Sequence, residues 1–132
     1  VSYAWEEAEY DSLSLLEAQT YMRWVLRAMH DTARSLATLR DAEVDAKKEY
    51  EAARRRLMLS PECPRVERGG YTVADRDAWV DERCADQRTA YEVATAARET
   101  ASDQLRTLNS QSVVITALSK NVAQVHGVLG ER

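Results

Sequence analysis

Ser60-Pro61-Glu62-Cys63-Pro64-Arg65-Val66-Glu67-Arg68-Gly69-Gly70-Tyr71 decides the fold, because this stretch holds both prolines and two of the four glycines in the chain. Proline lacks an amide donor and glycine costs a helix backbone entropy, so a loop over 60–71 is the one internal break the sequence asks for. Working outward toward the N-terminus, Leu15, Ala18, Met22, Val25, Met29, Thr32, Leu36, Leu39, Glu43, Ala46, Tyr50, Ala53 and Leu57 alternate strictly at spacings of three and four. That spacing holds one face of a helix against a partner and predicts helix 1 over about 3–59. Toward the C-terminus, Thr72 stands three residues before Asp75, a start signal in which a side-chain oxygen takes orphan amides of the first turn.

Helix 2 is predicted over about 73–128. Its stripe reads Ala90, Ala94, Ala97, Ala101, Leu108, Ile115, Leu118, Val122, Val125 and Leu129, interrupted by Gln104 and Gln111, with Gly127 and Gly130 as stop signals. Two helices of roughly 50 residues, each about 75 Å long, are most simply arranged as an antiparallel, coiled-coil-like hairpin. The expected fold is therefore all-α, one helical-hairpin domain over 1–132. A turn centred on Arg65 and Val66 sets Leu15 opposite Thr116 and Leu36 opposite Thr95.

Composition agrees with this class. The chain has 132 residues, a formal net charge of −4 and two cysteines. That length suits one domain, and two thiols are too few for a disulfide scaffold or a four-ligand zinc site, so a reducing cytoplasm is the expected compartment. No stretch approaches the ~20 apolar residues of a membrane span and no leader pattern opens the chain, so a soluble protein is expected.

The apolar surface is unequal along the hairpin. At the end carrying both termini, Leu13, Leu16, Trp24 and Leu26 of helix 1 and Val113, Val114 and Val128 of helix 2 lie beyond the seam. Two helices alone cannot cover so wide a surface, which points to a homo-oligomer interface there. The alternative cover is a third helix of residues 3–12 folded back over it.

Titratable groups do not converge in such a hairpin. Cys84 lies near the loop, His30 midway along helix 1 and His126 near the open end, which leaves no Cys–His nucleophile pair. Arg27 and Ala123 stand three residues before the two histidines, so the Glu-x-x-His pairs of di-iron bundles are missing. Gly69-Gly70 is not followed by the Gly-Lys-Ser/Thr of a phosphate loop and reads as a chain reversal. A non-enzymatic protein without cofactor or metal is expected.

Binding has two candidate surfaces. Lys47, Lys48, Arg54, Arg55, Arg56, Arg65 and Arg68 outnumber Glu49, Glu51, Glu62 and Glu67 by three in an otherwise acidic chain, making the loop end the candidate nucleic-acid site. The competing reading is a solvated helix end whose cations favour the dipole and face the acidic start of helix 2. Tyr71 and Trp79 flank the loop, where unpaired bases can stack beside Arg65, Arg68 and Arg76; equally, such aromatics cap a hairpin by packing on the other helix. Tyr3, Trp5 and Tyr10 sit among Glu6, Glu7, Glu9 and Asp11, which repel phosphate and favour protein contact.

In its order of parts, a basic helix end, the Pro/Gly loop, Gly70-Tyr71-Thr72-Val73-Ala74-Asp75-Arg76-Asp77-Ala78 and a long helix through Leu105-Arg106-Thr107-Leu108 to Leu118-Ser119, the chain resembles small helical-hairpin proteins of tailed phages, including actinobacterial phages, of the UvsY recombination-mediator type. The resemblance implies a non-enzymatic oligomer that binds single-stranded DNA, helps displace a single-strand-binding protein and assists recombinase loading in the host cytoplasm. The secreted WXG hairpins are set aside because no Trp-x-Gly occurs. The alternative is a coiled-coil interaction module, such as a phage product that docks on a host coiled-coil protein through its aromatic N-terminal end.

Overall fold

The computed structural model describes residues 14–130, and of 122, 123 and 125–130 it describes the backbone alone. The described residues are all-helical, with two long helices packed together. Their one extended feature is an isolated bridge between Val66 and Tyr71. Helix α1 spans Leu15–Met58 and opens on Ser14, whose hydroxyl accepts from the Glu17 amide at 3.2 Å and whose carbonyl accepts from the Ala18 amide at 2.8 Å. Satisfying those first-turn donors fixes the start of the helix at Leu15. The rest of the expected helix 1, over 3–13, lies outside the described residues, as does the alternative third helix.

Where one helix is predicted over 73–128 there are two, α2 over Val73–Arg83 and α3 over Ala85–Gly130. A capping box starts α2: the Asp75 amide donates to Thr72 Oγ1 at 3.2 Å and the Thr72 amide donates to Asp75 Oδ2 at 2.9 Å. The interruption is Cys84, at φ −110° and ψ 26°. Hydrogen bonds from the Cys84 amide to Val80 and from the Arg88 amide to Cys84 carry the ladder across it.

The chain forms two compact units. One comprises the described residues up to Ser35 together with the part of α3 from Ser102; the other is Leu36–Ala101. In the first, Tyr21, Val25 and Ile115 are fully buried, with Met22, Trp24, Met29 and Leu118 packed against them. In the second, Ala53, Cys63, Val80 and Cys84 form the core, covered by Tyr50, Leu57 and Trp79.

Every residue of the α1 stripe from Leu15 to Leu57 is buried or half-buried, as its spacing requires. On α3 the phase differs by one residue near the start, where Ala90 is exposed and Tyr91 takes the inward position. The pairing also differs. Tyr21 packs with Ile115, Tyr50 lies 6.0 Å from Tyr91 between ring centroids, and Glu43 meets Arg98, whereas a turn centred on Arg65 and Val66 sets Glu43 opposite Arg88. The register set by a turn centred on Arg65 and Val66 holds on α2, at Tyr50–Asp81 and Arg54–Asp77, and shifts on α3, by ten residues at Glu43–Arg98 and Tyr50–Tyr91 and by five at Tyr21–Ile115. The tight reversal of the loop runs from Glu67 to Tyr71, with the Gly70 amide bonded to Glu67 O at 3.0 Å and Gly69 at φ 82°. An L side chain at Gly69 would be strained by that positive φ.

Candidate nucleic-acid interface

The loop end belongs entirely to the unit Leu36–Ala101. Of the seven basic residues singled out from the sequence, Lys47, Lys48, Arg55, Arg56, Arg65 and Arg68 are exposed. Arg54 is different. It sits half-buried where α1 crosses α2, its Nη1 donating to Asp81 Oδ1 and, at 3.2 Å, to Tyr50 Oη, with Asp77 Oδ1 3.9 Å from Nη2. The Tyr50 hydroxyl also donates to Asp81, at 3.4 Å. The bond to Tyr50, together with the charges of Asp81 and Asp77, holds the Arg54 guanidinium above its usual pKa against the cost of burial. Arg54 is thus engaged in joining α1 to α2, while the six exposed cations remain available to a ligand.

Two clefts flank the loop and share Pro61, Cys63, Pro64, Arg65 and Glu67 as a common wall. The larger, about 900 Å³, contains Tyr71 and Trp79, the aromatics considered as a stacking platform, but it also contains the carboxylates of Glu62, Glu67, Asp75 and Glu82 against the single guanidinium of Arg65. Asp75 is held below the ordinary carboxylate range by the Thr72 amide, so its negative charge persists at neutral pH. The Trp79 ring is covered in part by Arg83, whose guanidinium carbon lies 4.1 Å from the centroid. Four carboxylates beside these rings repel a phosphate backbone.

The second cleft, about 640 Å³, reverses that balance. Its walls include Met58, Leu59, Pro61, Pro64 and Val66, and it holds Arg65 and Arg76 against Glu67 alone. Leu59 is 85% exposed and Val66 42%. Arg76, which the sequence places beside Tyr71 and Trp79, stands as a wall of this cleft, whereas the cleft itself was not evident from charge counting, which ranks residues by sequence neighbours.

The chain matches no known protein family, curated protein or solved structure. At the other unit, Leu16, Leu26, Val113 and Val114 are exposed at 73%, 54%, 68% and 44%, and Trp24 is half-buried beside Tyr21 at 5.6 Å between ring centroids. Leu13 and the side chain of Val128, the remaining two residues assigned to an oligomer interface, lie outside the described residues. His30 is exposed, and Cys63 and Cys84 are buried free thiols of one cluster. Among the described residues there is no group of three or more His, Cys, Asp or Glu side chains arranged to hold a metal, and no helix is long and apolar enough to cross a membrane.

Proposed function

We propose that this chain is a non-enzymatic accessory protein that binds single-stranded DNA at its loop end and assembles with copies of itself, in the manner of the recombination mediators it resembles. The observation carrying this reading is the company of six exposed cations with an apolar cleft that contains Arg65 and Arg76. Single-strand binding combines cations that track the phosphates with apolar or planar surface that receives unstacked bases. A net charge of −4 confines such a ligand to this end of the protein and makes its binding steeply dependent on salt.

Anisotropy of a labelled single-stranded oligonucleotide tests it. Binding is expected at about 50 mM salt, with a loss of more than about tenfold in affinity by about 200 mM. Arg55→Ala/Arg56→Ala/Arg65→Ala should weaken it by about tenfold or more at low salt, since each of these guanidinia is free of the fold. Arg54 is not a suitable probe, because its substitution disturbs the Tyr50–Asp81 network. Binding by the triple variant equal to that of the unaltered protein removes the proposed surface.

A second reading rests on the exposed Leu16, Leu26 and Val113: a helical module that docks on a coiled-coil partner protein. It predicts no oligonucleotide binding even at low salt, and capture of a defined helical partner that Leu26→Glu abolishes.

A further inference from the structure

The larger cleft at the loop is unsuited to phosphate and calls for a ligand of opposite charge. Its four carboxylates face the guanidinium of Arg65 and that of Arg83, which stacks on Trp79 3.9 Å from Glu82, so the cleft keeps a formal excess of two negative charges. Two of the acids are set by local structure: Asp75 is fixed by the capping box at the start of α2, and Glu82 stands two turns further along the same helix. Tyr71, 57% exposed, presents an aromatic ring inside this acidic rim. Trp79 already shows what its surface accepts, since the Arg83 guanidinium stacks over it at 4.1 Å. A planar cation suits such rings better than an ammonium does, combining attraction to the π face with bidentate bonding to carboxylate.

We infer that this cleft is a docking site for an extended, arginine-bearing peptide segment of a partner protein, whose guanidinia meet Glu67 and Glu82 while one of them lies on Tyr71. Charge complementarity selects the occupant. It disfavours nucleic acid, and it disfavours the chain's own acidic N-terminal sequence, Glu6 to Asp11. The inference does not rest on single-strand binding, although the two clefts share Arg65 and Glu67 as walls.

The test uses the full chain and a fluorescein-labelled peptide of alternating arginine and alanine, followed by anisotropy, with a citrulline-for-arginine peptide as the uncharged control. Salt-sensitive binding of the arginine peptide is expected, and little of the control. Glu67→Gln/Glu82→Gln should weaken it by about tenfold, and Tyr71→Ala by about threefold, the scale of one exposed cation–π contact. Glu49→Gln/Glu51→Gln, which removes the same charge from an exposed part of α1, should leave binding within about twofold and so separates a site from general attraction to an acidic protein. Equal binding of the citrulline peptide, or equal losses in the two double variants, overturns the inference. Circular dichroism of each variant confirms that the helices persist. Oligonucleotide binding by Glu67→Gln/Glu82→Gln is measured in parallel, so that failure of one reading is not mistaken for failure of the other.

Discussion

Glu43 is the residue that best shows how this chain handles charge at a helix contact. It interrupts an apolar stripe, yet it is half-buried, because Arg98 reaches it with Nε 3.2 Å from each carboxylate oxygen and Nη2 3.1 Å from Oε2. Those bonds hold Glu43 below the ordinary carboxylate range and raise Arg98 above its own usual value. Asp75 is lowered likewise, by the Thr72 amide. A carboxylate with a depressed folded pKa contributes stability that is fully present above its unfolded value and lost as pH falls through the folded one. Melting temperature should therefore hold from neutral pH to about 5 and fall as pH drops below about 4. Glu43→Gln should start lower at neutral pH and lose less on acidification. Parallel curves from thermal melts at pH 7 and pH 3 would show that the pair carries no linkage. At the same scale, the exposure of Arg55 and Arg56 beside the engaged Arg54 was legible in sequence, since three successive residues point in three directions around a helix. The engagement of Arg54 was legible in the reading that sets these cations against the acidic start of helix 2, since Asp77 and Asp81 are its partners.

At the scale of helices, the α1 stripe was readable because burial of one face imposes a period on sequence, and all thirteen positions are buried or half-buried. Register was readable beside the loop, where Arg54–Asp77 and Tyr50–Asp81 follow from a turn centred on Arg65 and Val66, and not on α3, since a period states which way a helix faces and nothing about its axial offset from a partner. The interruption at Cys84 has no proline or glycine to announce it. It falls on a residue that is buried in one cluster with Val80 and Ala53. The start of α1 was legible in principle, for Ser14 and Glu17 have the spacing of a helix-opening pair. Packing makes a quantitative prediction here. Ile115 is wholly buried against Tyr21 and Val25, so Ile115→Ala should cost about 2–5 kcal/mol in urea unfolding. Val93→Ala, at a position 63% exposed, should change stability by no more than about 0.5 kcal/mol. Equal costs would mean that α1 and α3 do not pack through Ile115.

Across the whole molecule, both units expose apolar side chains, Leu59 and Val66 on one and Leu16 and Val113 on the other. The unit Leu36–Ala101 carries the exposed cations and the acidic cleft, and its core draws on the loop through Cys63. The other unit carries the exposed Leu16, Leu26, Val113 and Val114, on a chain with no loop or further helix among its described residues to cover them. Exposed apolar side chains favour association, because covering them removes apolar area from water at about 25 cal/mol per Å². A protomer of 14.9 kDa should therefore show a mass in light scattering that is a multiple of this value and rises with concentration. Leu26→Glu/Val113→Glu should return it to the protomer mass while leaving helix content unchanged, since neither side chain belongs to the Tyr21–Ile115 core. If oligonucleotide binding needs several loop ends at once, the same variant should lose affinity through lost multivalency although every cation is intact. Protomer mass in the unaltered protein at all concentrations would assign these residues to a different partner, and the coiled-coil docking reading would then take precedence.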